Sequence, residues 1–165
     1  MIEMRVAGIA LDAGTRSPIV LLKDSSERRA LPIFIGQDQA RSIISVLERQ
    51  EPPRPLTHDL ISNIFDAWGM ELEKVIIHDL RDHTFFAMLC LTQNGVKKEI
   101  DCRPSDAISI ALRTASPIWV VEEVVADASI PVDRDADEAE REAFRNFVAD
   151  ISPSELIKRS GFRQP

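Results

Sequence analysis

Two short segments bring together a guanidinium, a hydroxyl and a carboxylate: RPLTHDL, Arg54 to Leu60, and RPSDAIS, Arg103 to Ser109. In each, an Arg-Pro pair leads into a hydroxyl residue, then an Asp, then an apolar run with helical spacing. Carboxylates and guanidinium groups gathered beside a helix N-terminus, where backbone N–H groups point outward, suit a phosphate or a metal-bound water. A structural account uses the same residues. Thr57 and Ser105 would cap helices, Asp59 and Asp106 would complement the helix dipole, and Arg54 and Arg103 would each pair with a neighbouring Asp. Capping and the helix dipole explain every residue except the two arginines, for which an ion pair is the structural reading, and ion-pair networks perturb the same groups that functional sites use.

The histidines are His58, His78 and His83. None has the HExxH spacing of a helix-borne zinc site. His58 is the candidate general base, because it shares a helix start with Asp59 and Arg54. No phosphate loop, GxGxxG or GxSxG elbow occurs, so the usual nucleotide-binding and acyl-transfer classes are unsupported.

The elements that must position these groups follow from patterning. Three strands, Ile2 to Leu11, Pro18 to Lys23 and Ala30 to Ile35, are separated by the turn signals AGTRS and DSSER. Asp38 then caps a helix carrying Ala40, Ile43, Ile44 and Leu47, which stops before the prolines of EPPRP. A second helix, capped by Thr57, presents Ile61, Ile64, Phe65 and Trp68 on one face and ends at Gly69. Val75 to His78 leads into a long hairpin, then a helix from Ser105 to Ala115, and PIWVVEEVV closes the body as a strand. Overlaying Ile33 on Ile100 and Ala40 on Ala107 gives a weak internal repeat. The expected class is α+β, with two β-β-β-α-like halves forming mixed or antiparallel sheets with packed helices.

The hairpin allows a register test. TFFAMLCLTQ, Asn94-Gly95 and VKKEIDC read as strand, type I′ turn and strand. Pairing Gln93 with Val96 sets Cys90 opposite Glu99 and Cys102 opposite Ala87, so the two thiols lie on opposite faces and a disulfide between them is not expected. One face then carries Phe85, Ala87, Leu89, Leu91, Ile100 and Cys102 and is assigned to the core. The other mixes apolar residues with Glu99, Asp101 and Arg103.

The chain has 165 residues, 44% hydrophobic and 28% charged, enough for one globular body with a core. Its net charge is -7 and its pI about 5.0. The first 132 residues carry 14 Lys and Arg against 19 Asp and Glu, and the rest 6 against 8, so no basic body hides behind an acidic tail. Tight sequence-independent binding to nucleic acid rests on cationic contacts, so any such substrate is expected to bind weakly. With no Tyr and two Trp, few rings are available to stack bases. No apolar run reaches bilayer length and the N-terminus lacks a basic region, so no membrane partner and a cytoplasmic location are expected. Residues 133–165 read as an acidic helical tail, with Phe144, Phe147, Val148 and Ile151 in one stripe and a capping box at Ser152-Pro153-Ser154-Glu155 opening a second helix.

LPIFIG (Leu31 to Gly36), RPLTHDL, IHDL (Ile77 to Leu80) and IDCRPSDAISIALR (Ile100 to Arg113), in this order, resemble the bifunctional nuclease domain family over about residues 1–132. The resemblance implies an α+β domain that cleaves DNA and RNA and assembles as a homo-oligomer. Its polar cluster would correspond here to Arg54, Thr57, His58 and Asp59 with Asp101, Arg103, Ser105 and Asp106. Where family members often carry Glu before the Ala of the first helix, this chain has Gln39.

On that basis His58, Asp59, Arg103 and Asp106 are expected to be catalytic, and Arg54, Thr57 and Ser105 to bind substrate. The metal-assisted form is the expected one, with Asp59, Asp101 and Asp106 holding Mg²⁺ or Mn²⁺, since a chain that also cuts DNA cannot rely on the 2′-hydroxyl of RNA. In a metal-free form His58 would take the proton, a route that works more easily on RNA. The rival class is a non-catalytic oligomeric binding or regulatory module whose Arg-Pro caps are structural.

Overall fold

Alternating apolar residues and two tight turns build the first half of the sheet. In a computed structural model, which describes residues 1–132, β1 (Ile2–Leu11), β2 (Pro18–Asp24) and β3 (Arg29–Phe34) form an antiparallel meander. The second meander is β4 (Glu71–Arg81), β5 (Thr84–Gln93) and β6 (Val96–Cys102). Between them lies β7 (Ile118–Val120), antiparallel to β1 and parallel to β4. With β8 (Ile130–Pro131) on β3, the result is one eight-stranded mixed sheet in the order β6-β5-β4-β7-β1-β2-β3-β8. The two halves expected from the repeat are therefore joined into a single sheet, and the body Met1–Pro131 is one compact unit. The helical hairpin expected after Val132 lies outside the described residues.

The β5–β6 register agrees with the sequence reading. Gln93 pairs with Val96, Cys90 with Glu99 and Cys102 with Ala87. Asn94 and Gly95 both have positive φ, 50° and 77°, as a type I′ turn requires. Both cysteines are free. One expectation for this ribbon fails. Ala87, Leu89 and Leu91 are buried, but Ile100 is 47% exposed, because β6 is the edge strand. Its repeat counterpart Ile33, paired with Val20 of β2, is buried.

Three longer helices carry the polar residues of interest: α1 (Gln37–Leu47), α2 (Thr57–Trp68) and α3 (Pro104–Thr114). α1 and α2 both pack on α3, and α3 lies on β4 and β5. The segment read as a final long strand breaks after three residues, and Glu122–Ala128 forms a short helix, α4. Val124 and Val125 are buried there, whereas Glu122 and Glu123 stay exposed in its first turn, a division that a strand's strict alternation cannot give.

The cap assignments also change. α1 begins at Gly36, α2 at Leu56 and α3 at Arg103, so Asp38, Thr57 and Ser105 lie inside their helices and cap nothing. Pro104 explains α3, since proline favours the first helical position and leaves the residue before it as the cap. In α2 the Asp59 carboxylate reaches back to accept the Leu56 N–H at 2.8 Å, which fixes the cap three residues earlier.

The α1–α2–α3 polar clasp, a candidate active site

Those caps put the two Arg-Pro segments in different registers. Asp59 and Asp106 each occupy the third helical position, but Arg103 is three residues before its Asp and Arg54 is five before its own. Arg103 therefore reaches Asp106 with two hydrogen bonds, Nε to Oδ2 at 2.7 Å and Nη2 to Oδ1 at 3.1 Å. Arg54 is exposed and has no hydrogen bond or ion pair among the described residues. Asp59 is held instead by Arg113, 54 residues away, whose Nε donates to Oδ1 at 2.6 Å.

His58 links the three helices. It is buried, with Nε2 at 2.9 Å from Asp106 Oδ1 and Nδ1 at 2.8 Å from Ser42 Oγ on α1. An ionised carboxylate only accepts, so Nε2 carries the proton, and in the neutral ring Nδ1 accepts the Ser42 hydroxyl. Arg113 closes the clasp by donating to the Ser109 carbonyl at 2.9 Å and the Ser42 carbonyl at 3.3 Å. One chain thus runs Arg103–Asp106–His58–Ser42, from a side chain 66% exposed to a buried hydroxyl.

Burial pushes the Asp106 carboxyl up, but hydrogen bonds from Arg103 and His58, and the charge on both, outweigh it and hold the group below its ordinary value. For Asp59, burial is again opposed and outweighed, by Arg113 and the Leu56 N–H. Arg103 is raised by its hydrogen bonds and charge contact with Asp106. Burial, with Asp106 and Asp101 nearby, lifts the Cys102 thiol to about 12, so it stays protonated and inert.

Carboxyls depressed in the folded state add stability that is fully present above their ordinary value and is lost as pH falls through the folded value. The melting temperature is therefore expected to hold from neutral pH to about pH 5 and to drop below about pH 4, with a shallower drop in Asp106→Asn. An unchanged acid limb in that variant would show that Asp106 does not stabilise the fold.

The structure thus brings His58, Arg103 and Asp106 together, and Asp59 joins the same clasp through Arg113. Ser105 is buried, with its carbonyl accepting the Ser109 hydroxyl at 2.8 Å, while Thr57 is exposed on the first turn of α2. Asp101 is exposed and pairs with Met88, on the ribbon face opposite Cys102. Asp59, Asp101 and Asp106 do not form one ligand set, and among the described residues no group of three or more His, Cys, Asp or Glu could hold a metal ion. Both Asp59 oxygens already accept hydrogen bonds, as do both of Asp106. Sequence reasoning missed Ser42 and Arg113. Ser42 sits beside the apolar Ile43-Ile44 pair of α1, and Arg113 closes the IALR run, where it reads as a dipole-complementing residue of a last turn.

Comparison with known proteins bears on what this clasp serves. The model of the bifunctional nuclease domain matches residues 20–133. An uncharacterized protein of Mycobacterium tuberculosis is 39% identical over 162 residues, covering 93% of this chain and 97% of its own. Bifunctional nuclease 2 of Arabidopsis thaliana is 30% identical over 107 residues, 63% of this chain and 32% of that protein. Bifunctional nuclease 1 of Oryza sativa is 27% identical over 112 residues, 66% of this chain and 34% of that protein. The chain aligns with only about a third of the length of each of these two plant proteins. Matched over most of its length by the family model, and carrying the polar clasp within the matched region, the chain belongs to the bifunctional nuclease domain family.

Proposed function

We propose that the chain is a nuclease that hydrolyses phosphodiester bonds of DNA and RNA, with Arg103, Asp106 and His58 at its centre. The observation that supports this reading most is the state of Arg103. It is largely exposed, yet fixed by two hydrogen bonds to a carboxylate that is itself held by a buried imidazole. A guanidinium presented this way can take phosphate oxygens in a bidentate fashion and stabilise the charge that builds on them.

The same geometry couples binding to proton transfer. When phosphate oxygens draw Arg103 away, Asp106 loses the hydrogen bonds and charge that hold it down, and its proton affinity rises. Asp106 then accepts the proton of the attacking water, or of the 2′-hydroxyl in RNA, as the new P–O bond forms, and the leaving sugar oxygen takes a proton from solvent water as the old bond breaks. His58, with both nitrogens engaged, positions Asp106. Arg54 adds a second cation for the substrate strand, and Thr57 and Asp59 lie on the same helix start. These steps are those of the chain's own residues, and Mg²⁺ and Mn²⁺ are arms of the assay.

The acidic balance of the chain supports weak substrate binding, its free cysteines support a cytoplasmic location, and its family supports assembly as a homo-oligomer. Among the described residues no helix is long and apolar enough to cross a membrane. The alternative, a non-catalytic oligomeric module, is favoured by one feature, the complete internal pairing of Asp59 and Asp106 in a clasp between helices. Cleavage of labelled single-stranded DNA and RNA by purified wild-type protein and by Arg103→Ala separates the two readings. Loss of cutting with an unchanged melting temperature supports the nuclease, and absence of cutting by the wild type supports the module.

A further inference from the structure

The outer face of α2 is apolar where solvent would call for charge. At about 100° per residue, Leu56, Leu60, Ile64, Ala67 and Trp68 share one arc of about 120°. The sequence pattern puts Ile61, Ile64, Phe65 and Trp68 on one face, but only Phe65, His58 and the half-buried Ile61 and Ser62 turn inward. Leu56 is 46% exposed, Leu60 53%, Ile64 43% and Trp68 71%. The acidic residues of the helix, Asp59 and Asp66, stand on its other flank, so this arc has none. An exposed apolar stripe of this width, interrupted only by Thr57, marks a surface that another surface covers.

We infer that a second copy of this chain covers this face, with α2 packed antiparallel on α2 of the partner subunit. The stripe is self-complementary about its middle. A twofold axis beside Ser62 sets Leu60 on Ile64 of the partner subunit and Leu56 on Trp68 of the partner subunit, the i, i+4 ridge pattern of common helix pairs. Charges at the two ends point to the same operation. Arg54 lies two residues before Leu56 and Glu71 three after Trp68; both are exposed, and neither has an ion pair among the described residues. The twofold brings the stretch carrying Arg54 against the stretch carrying Glu71 of the partner subunit, twice per dimer. One helix pair is a small interface, so association is expected to depend on concentration. This inference deepens the homo-oligomer of the proposed function by naming its surface, and it does not depend on cleavage.

Sedimentation velocity of the full chain across a concentration series tests it, with cleavage measured in parallel so that the two readings can fail separately. Wild type should shift from monomer to dimer as concentration rises, and Leu60→Glu should stay monomeric with an unchanged circular dichroism spectrum. Arg54→Glu and Glu71→Arg should each weaken the dimer by about tenfold through like-charge contacts. The double variant should recover most of that loss. A monomeric wild type, a dimer indifferent to Leu60→Glu, or no recovery in the double variant would overturn the inference. So would a lower melting temperature in Leu60→Glu with no change in mass, which would show the stripe covered within one copy.

Discussion

Arg113→Met is expected to destabilise the protein by about 3 kcal/mol, the low end for breaking one partner out of a buried ion pair. The Arg113 side chain is only 7% exposed and donates to Asp59 and to two carbonyls on two helices. Methionine keeps the packing of the stem but leaves the Asp59 charge without its main counterion and removes one donor from each of two helix carbonyls. Partial exposure of Asp59 lets water offset some of this, which sets the estimate at the low end. Urea unfolding measures the effect. The double variant Arg113→Met/Asp59→Asn should recover part of the loss, because the stranded charge is gone. A cost below about 1 kcal/mol would mean that the clasp does not hold the three helices together.

The second large effect is on activity. Arg103→Ala is expected to reduce cleavage by about 10²–10³-fold while costing less than about 1 kcal/mol of stability. The division follows from position. Arg113 ties α3 to α1 and α2 from within, whereas Arg103 sits on the rim with its guanidinium mostly in water. Arg103→Lys should restore little, since an ammonium cannot reproduce the planar fork that pairs with a carboxylate and then with a phosphate. If Arg103→Ala lost stability and activity in step, its contribution would be structural.

Much of the fold was legible because its signals are local. Asn94-Gly95 set the hairpin register and so placed both cysteines correctly, and helical spacing located α1, α2 and α3. The caps were harder. The hydroxyl residues attract attention, yet Pro104 and the reach of Asp59 set the starts one or two residues earlier. Most of the candidate site could be read from the two Arg-Pro segments, because His58, Asp59, Arg103 and Asp106 announce themselves by type. Ser42 and Arg113 could not, since their roles come from how α1 and α3 meet α2, contacts of 16 and 54 residues' separation. The outward face of α2 was not legible for a related reason. Spacing shows that residues share a side of a helix and does not show which of two apolar sides its own subunit buries.

The most direct test of the central claim is cleavage of labelled single-stranded DNA and RNA by wild-type, Arg103→Ala and Asp106→Asn proteins, purified side by side and assayed with EDTA, Mg²⁺ or Mn²⁺. The account predicts that the wild type cuts and that both variants lose about 10²-fold or more in every buffer where it does, with Arg103→Ala folding as stably as the wild type. Equal cutting by all three proteins would contradict it and remove the Arg103–Asp106–His58 chain from the chemistry.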